Sequence, residues 1–363
     1  MNPTRQELVK PSVAQLQAYD PHKRPGQVKL DANEHPFALP PVIREAVMQA
    51  LAHVSINRYP DPEAESLRRT LAKRLDVTPD MLLLGNGSDE LVQMVLLACG
   101  APGAAVLTPT PTFSMYGLGA RVLDQRAVEV SLTAEWELDM PQMLAAIARE
   151  QPRVTFLATP NNPTANCFDA DAVHQLIEAV SGVIVIDEAY YAFSGQTVLP
   201  LLHAYPHLLL FRTLSKVGMA GLRIGILVGH PELVDEINKV RLPYNLSIYS
   251  QVAAAVVLQH WEMLAPEFRT IVDARDRLRQ DLGRIPGLTV FPSQANFLLM
   301  RVDAGAASVW EALGAQGLLV RHFPGSPALQ DCLRITVGTP PENELLTTTL
   351  QTIIASLQPV IRP

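Results

Sequence analysis

Four short segments carry residue types that can do chemistry at spacings that place them on strand ends. In Thr213-Leu214-Ser215-Lys216, with Gly218, Gly221 and Arg223 just behind, a lysine follows an apolar run among hydroxyl and glycine residues. That setting suits Schiff-base formation, although alone it also describes a surface lysine. In Val183-Ile184-Val185-Ile186-Asp187-Glu188-Ala189-Tyr190 a carboxylate ends an apolar strand. Such a carboxylate is costly unless it meets a cation or a metal, or it is a capping or surface aspartate. Tyr190 stands three residues on and can bond the same ligand. Leu83-Leu84-Gly85-Asn86-Gly87-Ser88-Asp89-Glu90 reads as strand, glycine turn and helix start. Ser88 would be the N-cap, and the first helical N–H groups would face an anion. The same pattern also fits an ordinary capped turn with acidic residues favoured by the helix dipole. Thr159-Pro160-Asn161-Asn162-Pro163-Thr164 follows the strand Val154–Ala158 and makes a stiff loop where open α/β sheets bind ligands, or a plain turn.

The order of the four is more specific than any one of them. A lysine to capture an aldehyde, an aspartate for a pyridinium nitrogen, and backbone N–H groups, hydroxyls and an arginine for a phosphate are the parts that pyridoxal 5'-phosphate needs. The glycine turn is neither a Walker motif nor a dinucleotide GxGxxG. The nine histidines show no metal pattern, so no metal is expected.

Positioning these residues requires strands that end together. Apolar runs at Met81–Leu84, Ala105–Leu107, Val154–Leu157, Val183–Ile186, Leu208–Phe211 and Ile224–Val228 are strand-like, with helical spacing at Glu90–Ala98, Ala170–Val180 and Glu232–Arg241. Alternating strands and helices indicate an α/β fold with a mostly parallel sheet, and runs apolar throughout indicate burial on both faces. The C-terminal third differs. A long helical pattern over Ser247–Leu282 precedes strands at Leu288–Phe291, Phe297–Arg301, Leu318–Arg321 and Cys332–Val337, with helices at Ala306–Ala315 and Asn343–Leu357. This is a smaller α+β domain. The expected division is an N-terminal arm and part of the small domain at 1–45, a large cofactor domain at 46–245 and the small C-terminal domain at 246–363.

Composition bounds the setting. The chain has 363 residues, a net charge of −7, 48% hydrophobic and 18% charged residues. Globular chains average about 25% charged residues, so the shortfall hints at surface buried in an oligomer or at a large core. The acidity argues against a nucleic-acid partner. Three scattered cysteines without CxxC predict a reducing compartment, and the N-terminus has no secretory pattern, so the cytoplasm is expected. The longest uncharged stretch, Leu242–Trp261, contains Pro243, Asn245 and Gln251, and reads as a buried helix rather than a membrane span.

With these residues in view, the chain resembles the fold-type I, pyridoxal-phosphate-dependent aminotransferases, and among them the histidinol-phosphate aminotransferase family. The resemblance covers nearly the whole chain. It is carried by DANEHPF (31–37), RYPDP (58–62), LGNGSDEL (84–91), PTFSMY (111–116), TPNNPTA (159–165), VIDEAYYAF (185–193), TLSKVGMAGLRIG (213–225), PYNLS (243–247), ANFLL (295–299) and LRITVGT (333–339). It implies transfer of an amino group between L-histidinol phosphate and 2-oxoglutarate in histidine biosynthesis. It implies that Lys216 carries the cofactor, Asp187 pairs with its ring nitrogen, and Tyr190 and Asn162 bond its phenolic oxygen side. Tyr116 is expected to stack on the ring. Gly87, Ser88, Asp89, Thr213, Ser215 and Arg223 are expected to hold the phosphate, with Tyr59 reaching the phosphate of a neighbouring subunit, hence a homodimer. Arg321, Arg334, Tyr19 and Asn33 match substrate contacts. Ala165, Asp31 and His35 depart from the family's usual Gly, Asn and Asn, the last two near the substrate mouth. The rival readings are an aromatic (phenylalanine or tyrosine) aminotransferase, a decarboxylase of a phosphorylated amino acid, and a non-catalytic regulator on the same fold.

Overall fold

The computed structural model describes residues 8–16 and 28–357. Its centre is a seven-stranded sheet built from β2 (Leu82–Asn86), β3 (Ala105–Thr110), β4 (Arg126–Ser131), β5 (Val154–Ala158), β6 (Val183–Asp187), β7 (Leu208–Thr213) and β8 (Ile224–Gly229); β1 (Val28–Lys29) lies outside it. The order is β2-β8-β7-β6-β5-β3-β4, and only β8 runs against the others. The sheet is therefore mostly parallel, and the C-terminal ends of β5, β6 and β7 lie side by side.

Alternation along each strand splits the core. Ile184, Ile186, Leu208 and Leu210 join one apolar cluster, while Val185, Leu209, Phe156 and Phe211 join another with Leu91, Val95 and Tyr116. Helices cover both faces, which is why the strands carry unbroken apolar runs. β4 escaped the sequence reading because it is an edge strand with three of its six residues polar or charged and only Val130 buried. Helices at Pro41–Ala52, Glu65–Leu75, Met115–Val122 and Met140–Glu150 likewise were not read.

A second sheet of four antiparallel strands has the order β12-β13-β10-β9: β9 (Leu288–Val290), β10 (Phe297–Val302), β12 (Arg321–His322) and β13 (Cys332–Thr336). The predicted strand Leu318–Arg321 is in fact two pieces. Its first part, β11 (Leu318–Leu319), pairs in parallel with β1, and Leu30 enters the core of this second unit. The N-terminal segment is thus woven into the C-terminal one. The long helical pattern also divides, into Ile248–Gln259 and Trp261–Leu282 on either side of His260. Ser247 caps the first of these through the Ser250 N–H. Ala254, Val257, Leu264 and Phe268 pack in the core of the large sheet, whereas Leu278 and Leu282 pack in the smaller core. The long helix therefore belongs to both. Among the described residues no helix is long and apolar enough to cross a membrane, and no group of three or more His, Cys, Asp or Glu side chains is placed to hold a metal.

Candidate active site

Asp187 ends β6 with its side chain on the same face as Val185 and Phe211. Its carboxylate accepts the Tyr116 hydroxyl at 2.7 Å and the Ala189 N–H at 3.0 Å. Burial pushes its pKa up to about 6, against the pull of those two hydrogen bonds. A carboxylate kept in the interior at this cost is suited to receiving a cation.

The place of Tyr116 corrects the expectation that it stacks on a ligand ring. It is fully buried, one face lies on Phe156 at 4.7 Å and 3°, and its hydroxyl is spent on Asp187. Tyr116 therefore orients the aspartate. Phe113, partly buried and edge-on to Tyr116 at 5.5 Å, is the aromatic of the same segment that was overlooked.

Lys216 lies in a tight π-helical turn, Ser215–Met219, directly after β7, where Gly218 takes φ +90. Its Nζ donates to the Ala32 carbonyl at 3.1 Å. Burial, with help from the Arg334 charge, lowers its pKa to about 8. A lysine so placed holds a much larger neutral fraction near neutral pH than an ordinary one, which is what nucleophilic attack on an aldehyde requires. The capture rate of pyridoxal phosphate by the ligand-free chain should therefore rise with pH and level off above about 8. A stopped-flow absorbance profile still rising toward 10.5, the ordinary lysine value, would contradict this environment.

The glycine turn differs in detail from the reading above. Gly87, not Ser88, is the N-cap of the helix Ser88–Cys99, with φ +78 and no side-chain cap. Its N–H donates to the Arg223 carbonyl at 2.9 Å, and Arg223, at φ +53, lays its guanidinium against the place a Gly87 Cβ would take. Arg223 also pairs with Asp89 at 3.0 Å. A Cβ on Gly225 would lie 2.5 Å from the Gly87–Ser88 backbone, so β8 presses directly on the turn. Gly225→Ala should lower stability by about 1–3 kcal/mol through this backbone overlap, and loosen phosphate binding with it, both readable by melting and cofactor titration. Thr213 and Ser215 are buried beside the turn, with the Ser215 N–H donating to the Thr213 hydroxyl at 3.1 Å. The Thr213 hydroxyl itself donates to the Ile224 carbonyl at 3.2 Å, so the first helical N–H groups, the Ser215 hydroxyl and Arg223 form the donor set matched to a phosphate.

The remaining expected residues meet from distant segments. The Asn33 side-chain amide donates to the Tyr190 hydroxyl at 2.9 Å, and its backbone N–H donates to Thr336. Asn33 takes φ 54, a conformation asparagine tolerates better than most residues. Arg334 donates to the Asn162 side-chain oxygen at 2.6 Å and to the Asp31 carbonyl. Arg321 stands directly opposite Arg334 in the β12–β13 ladder, which puts both side chains on one face of the sheet. Asn161, by contrast, is structural: fully buried, it bonds Thr112, Pro111 and Thr164. Tyr59 lies apart, 79% exposed and stacked on Tyr244 at 4.4 Å. Tyr19 lies outside the described residues.

The three departures are now explicable. Ala165 takes φ 69, the left-handed conformation for which glycine is the easy choice, and keeps the turn through its N–H bond to Asn161. Asp31 lies 3.5 Å from the Lys29 ammonium. His35 is buried edge-on to Phe37 and Phe268, 3.6 Å from Glu267, so it packs on the lysine-bearing turn beside Gly218.

Residues 25–350 match the family described as aminotransferase class I and II. The chain belongs to that family. It is 44% identical to histidinol-phosphate aminotransferase 2 of Nitrosococcus oceani over 93% of this chain and 94% of the relative. It is 42% identical to histidinol-phosphate aminotransferase 1 of Ralstonia nicotianae over 97% and 95% of the two chains. Among solved structures, histidinol-phosphate aminotransferase of Sinorhizobium meliloti, in complex with pyridoxal-5'-phosphate, superposes with a TM-score of 0.88 at 27% identity, covering 96% of this chain and 98% of that one. The fold is thus that of the fold-type I aminotransferases, α/β with a mostly parallel central sheet.

Proposed function

We propose that the chain is a pyridoxal-phosphate-dependent aminotransferase that moves an amino group between L-histidinol phosphate and 2-oxoglutarate, a step of histidine biosynthesis. The observation that carries this reading is the convergence of Lys216, the Asp187–Tyr116 pair and the Gly87–Arg223 cradle at the ends of adjacent strands. The substrate rests on the relatives of that name at over 40% identity across nearly the full chain.

The donor set fits the cofactor. Lys216 would hold it covalently, and Asp187 would pair with its ring nitrogen. Ser88 and Asp89 through their backbone N–H groups, with Ser215 and Arg223, would hold its phosphate, while Gly87 and Thr213, whose own donors bond the Arg223 and Ile224 carbonyls, shape the turn around it. Tyr190 and Asn162 would bond the phenolic oxygen side, and Phe113 is the aromatic we assign to the ring face in place of Tyr116. When bound there, pyridoxal phosphate supplies an aldehyde and an electron-withdrawing ring. The residues do the rest. Asp187 keeps a proton on the partner nitrogen, and Tyr116 fixes its orientation. Lys216, once released as a free amine, accepts and returns a proton at Nζ as general base and acid. Arg321 and Arg334, opposed across the ladder, serve a phosphate or a carboxylate in turn, since a guanidinium fork suits both. With Tyr19 and Asn33 they form the substrate side of the reading.

The organisation belongs to the same proposal: an arm at 1–45, a cofactor domain at 46–245 and a small domain at 246–363, with the long helix bridging the last two. So does a homodimer in which Tyr59, presented outward with Tyr244, reaches the partner's phosphate site. Tyr59→Ala should weaken cofactor retention about tenfold, the scale of one lost charge-assisted hydrogen bond, measured by equilibrium titration. An affinity equal to the parent's counts against the shared site. A cytoplasmic setting is supported by three free cysteines.

The deciding experiment is a coupled transamination assay at matched concentrations of histidinol phosphate and phenylalanine with 2-oxoglutarate. Preference for histidinol phosphate supports the reading. Preference for phenylalanine, release of carbon dioxide, or bound cofactor without turnover would instead indicate the aromatic aminotransferase, the decarboxylase or the regulator.

A further inference from the structure

On the sheet face opposite Asp187 lies an ion pair that the chemistry above does not use. Glu188 follows Asp187 at the end of β6, and Arg212 precedes Thr213 at the end of β7, its side chain on the face of Leu208 and Leu210. The Glu188 side chain is wholly buried and that of Arg212 is 11% exposed. One carboxylate oxygen of Glu188 accepts Arg212 Nε at 3.1 Å, Arg212 Nη2 at 2.9 Å and the Thr197 hydroxyl at 2.8 Å. The other accepts the Val198 N–H at 2.7 Å. The guanidinium carbon lies 3.7 Å from the centre of the Tyr191 ring.

The members of this network are chain neighbours of the site. Glu188 adjoins Asp187, Tyr191 adjoins Tyr190, and Arg212 adjoins Thr213 at the entrance to the Lys216 turn. Adjacent residues at a strand end share one rigid peptide, so fixing one fixes the direction of the next. A buried ion pair is a poor stabiliser, because desolvation offsets most of the attraction. Its complete satisfaction here is better explained by geometry than by stability.

We propose that Glu188 and Arg212 are positioning residues: the pair clamps the ends of β6 and β7 and thereby sets the distance between the ring-nitrogen partner, Asp187, and the cofactor-bearing Lys216. This rests on the function proposed above. Misplacement of reacting groups by a fraction of an ångström reduces turnover far more than it reduces binding.

The test compares the purified holoenzyme with Glu188→Leu/Arg212→Met, which replaces the pair by apolar groups of similar size, and with Arg212→Lys, which keeps the charge but loses the fork. Melting temperature, the pH midpoint of the bound cofactor's absorbance, kcat and KM are read for each. The double variant should melt close to the parent, as apolar replacements of buried pairs do, yet lose about tenfold in kcat with little change in KM. Its absorbance midpoint should move by about one pH unit, with Arg212→Lys intermediate in both. A folded double variant with parental kcat and midpoint overturns the clamp. If the double variant does not fold, Arg212→Lys and Tyr191→Leu decide: a displaced midpoint supports the clamp, and parental values in both overturn it. A parent chain with no bound-cofactor band counts against the function and the clamp together; a parental band with unmoved variants counts against the clamp alone.

Discussion

Lys216→Ala should abolish transamination, with turnover falling by at least about 10⁴-fold, the combined loss of covalent attachment and of the general acid–base group. The absorbance band of covalently held cofactor should vanish while the Gly87–Arg223 cradle still retains some cofactor noncovalently. Stability should move the other way. The lysine is held in the interior with its pKa lowered from 10.5 to about 8, so the unfolded chain binds more protons than the folded one between those values. Its burial therefore costs stability below pH 8, and the cost is relieved as pH rises through that window. At pH 7 the ligand-free Lys216→Ala chain should melt no lower than the parent, although it loses the bond to the Ala32 carbonyl. A variant with full turnover, or one unfolded at neutral pH, would contradict this placement of the lysine.

Asp187→Asn should reduce kcat by about 10²–10³-fold, the range for removing one preorganised charge-directed group. The amide oxygen can still accept the Ala189 N–H, and the amide nitrogen, which takes the place of the oxygen that accepted the Tyr116 hydroxyl, can donate to that hydroxyl instead, so the fold should hold to within about 1 kcal/mol. What it cannot do is carry the negative charge that keeps a proton on the ring nitrogen. The pH dependence separates the two effects. In the ligand-free chain Asp187 is raised from 3.8 to about 6, mainly by burial. The folded chain therefore binds more protons there, and this contribution to stability is full below 3.8 and lost as pH rises through about 6. Cofactor affinity of the parent should accordingly fall as pH drops below about 6, while that of Asp187→Asn should be flat across the same range. Equal pH profiles for the two chains would place the ring-nitrogen partner elsewhere.

Much of the site is legible in the residues because its parts sit at strand ends that announce themselves. Apolar runs closing on Asp187 and Thr213, and the Gly-Asn-Gly-Ser turn, identify positions without any knowledge of partners. Tyr116 shows the limit. Its segment suggests an aromatic near the cofactor, and only packing shows that Tyr116 turns inward to Asp187, 71 residues away. Glu188 and Arg212 were similarly silent, since a charge next to a strand end reads as a solvated cap until its buried partner is seen. β4 and the break at His260 were missed for a local reason: an edge strand lacks a continuous apolar signal, and neighbouring helical patterns merge when no proline or glycine separates them.

The amino-acid sequence by itself determined the chemical inventory and the layered α/β plan, because strand burial on two faces and turn chemistry are local, periodic properties. The tertiary structure alone decided which atoms meet. Asn33 bonds Thr336 across 303 residues, and Arg334 reaches Asn162 across 172. Arg321 faces Arg334 only because β12 and β13 pair in that register. Hydrogen bonds act over about 3 Å, whereas such separations along the chain are spanned only by the path of the fold.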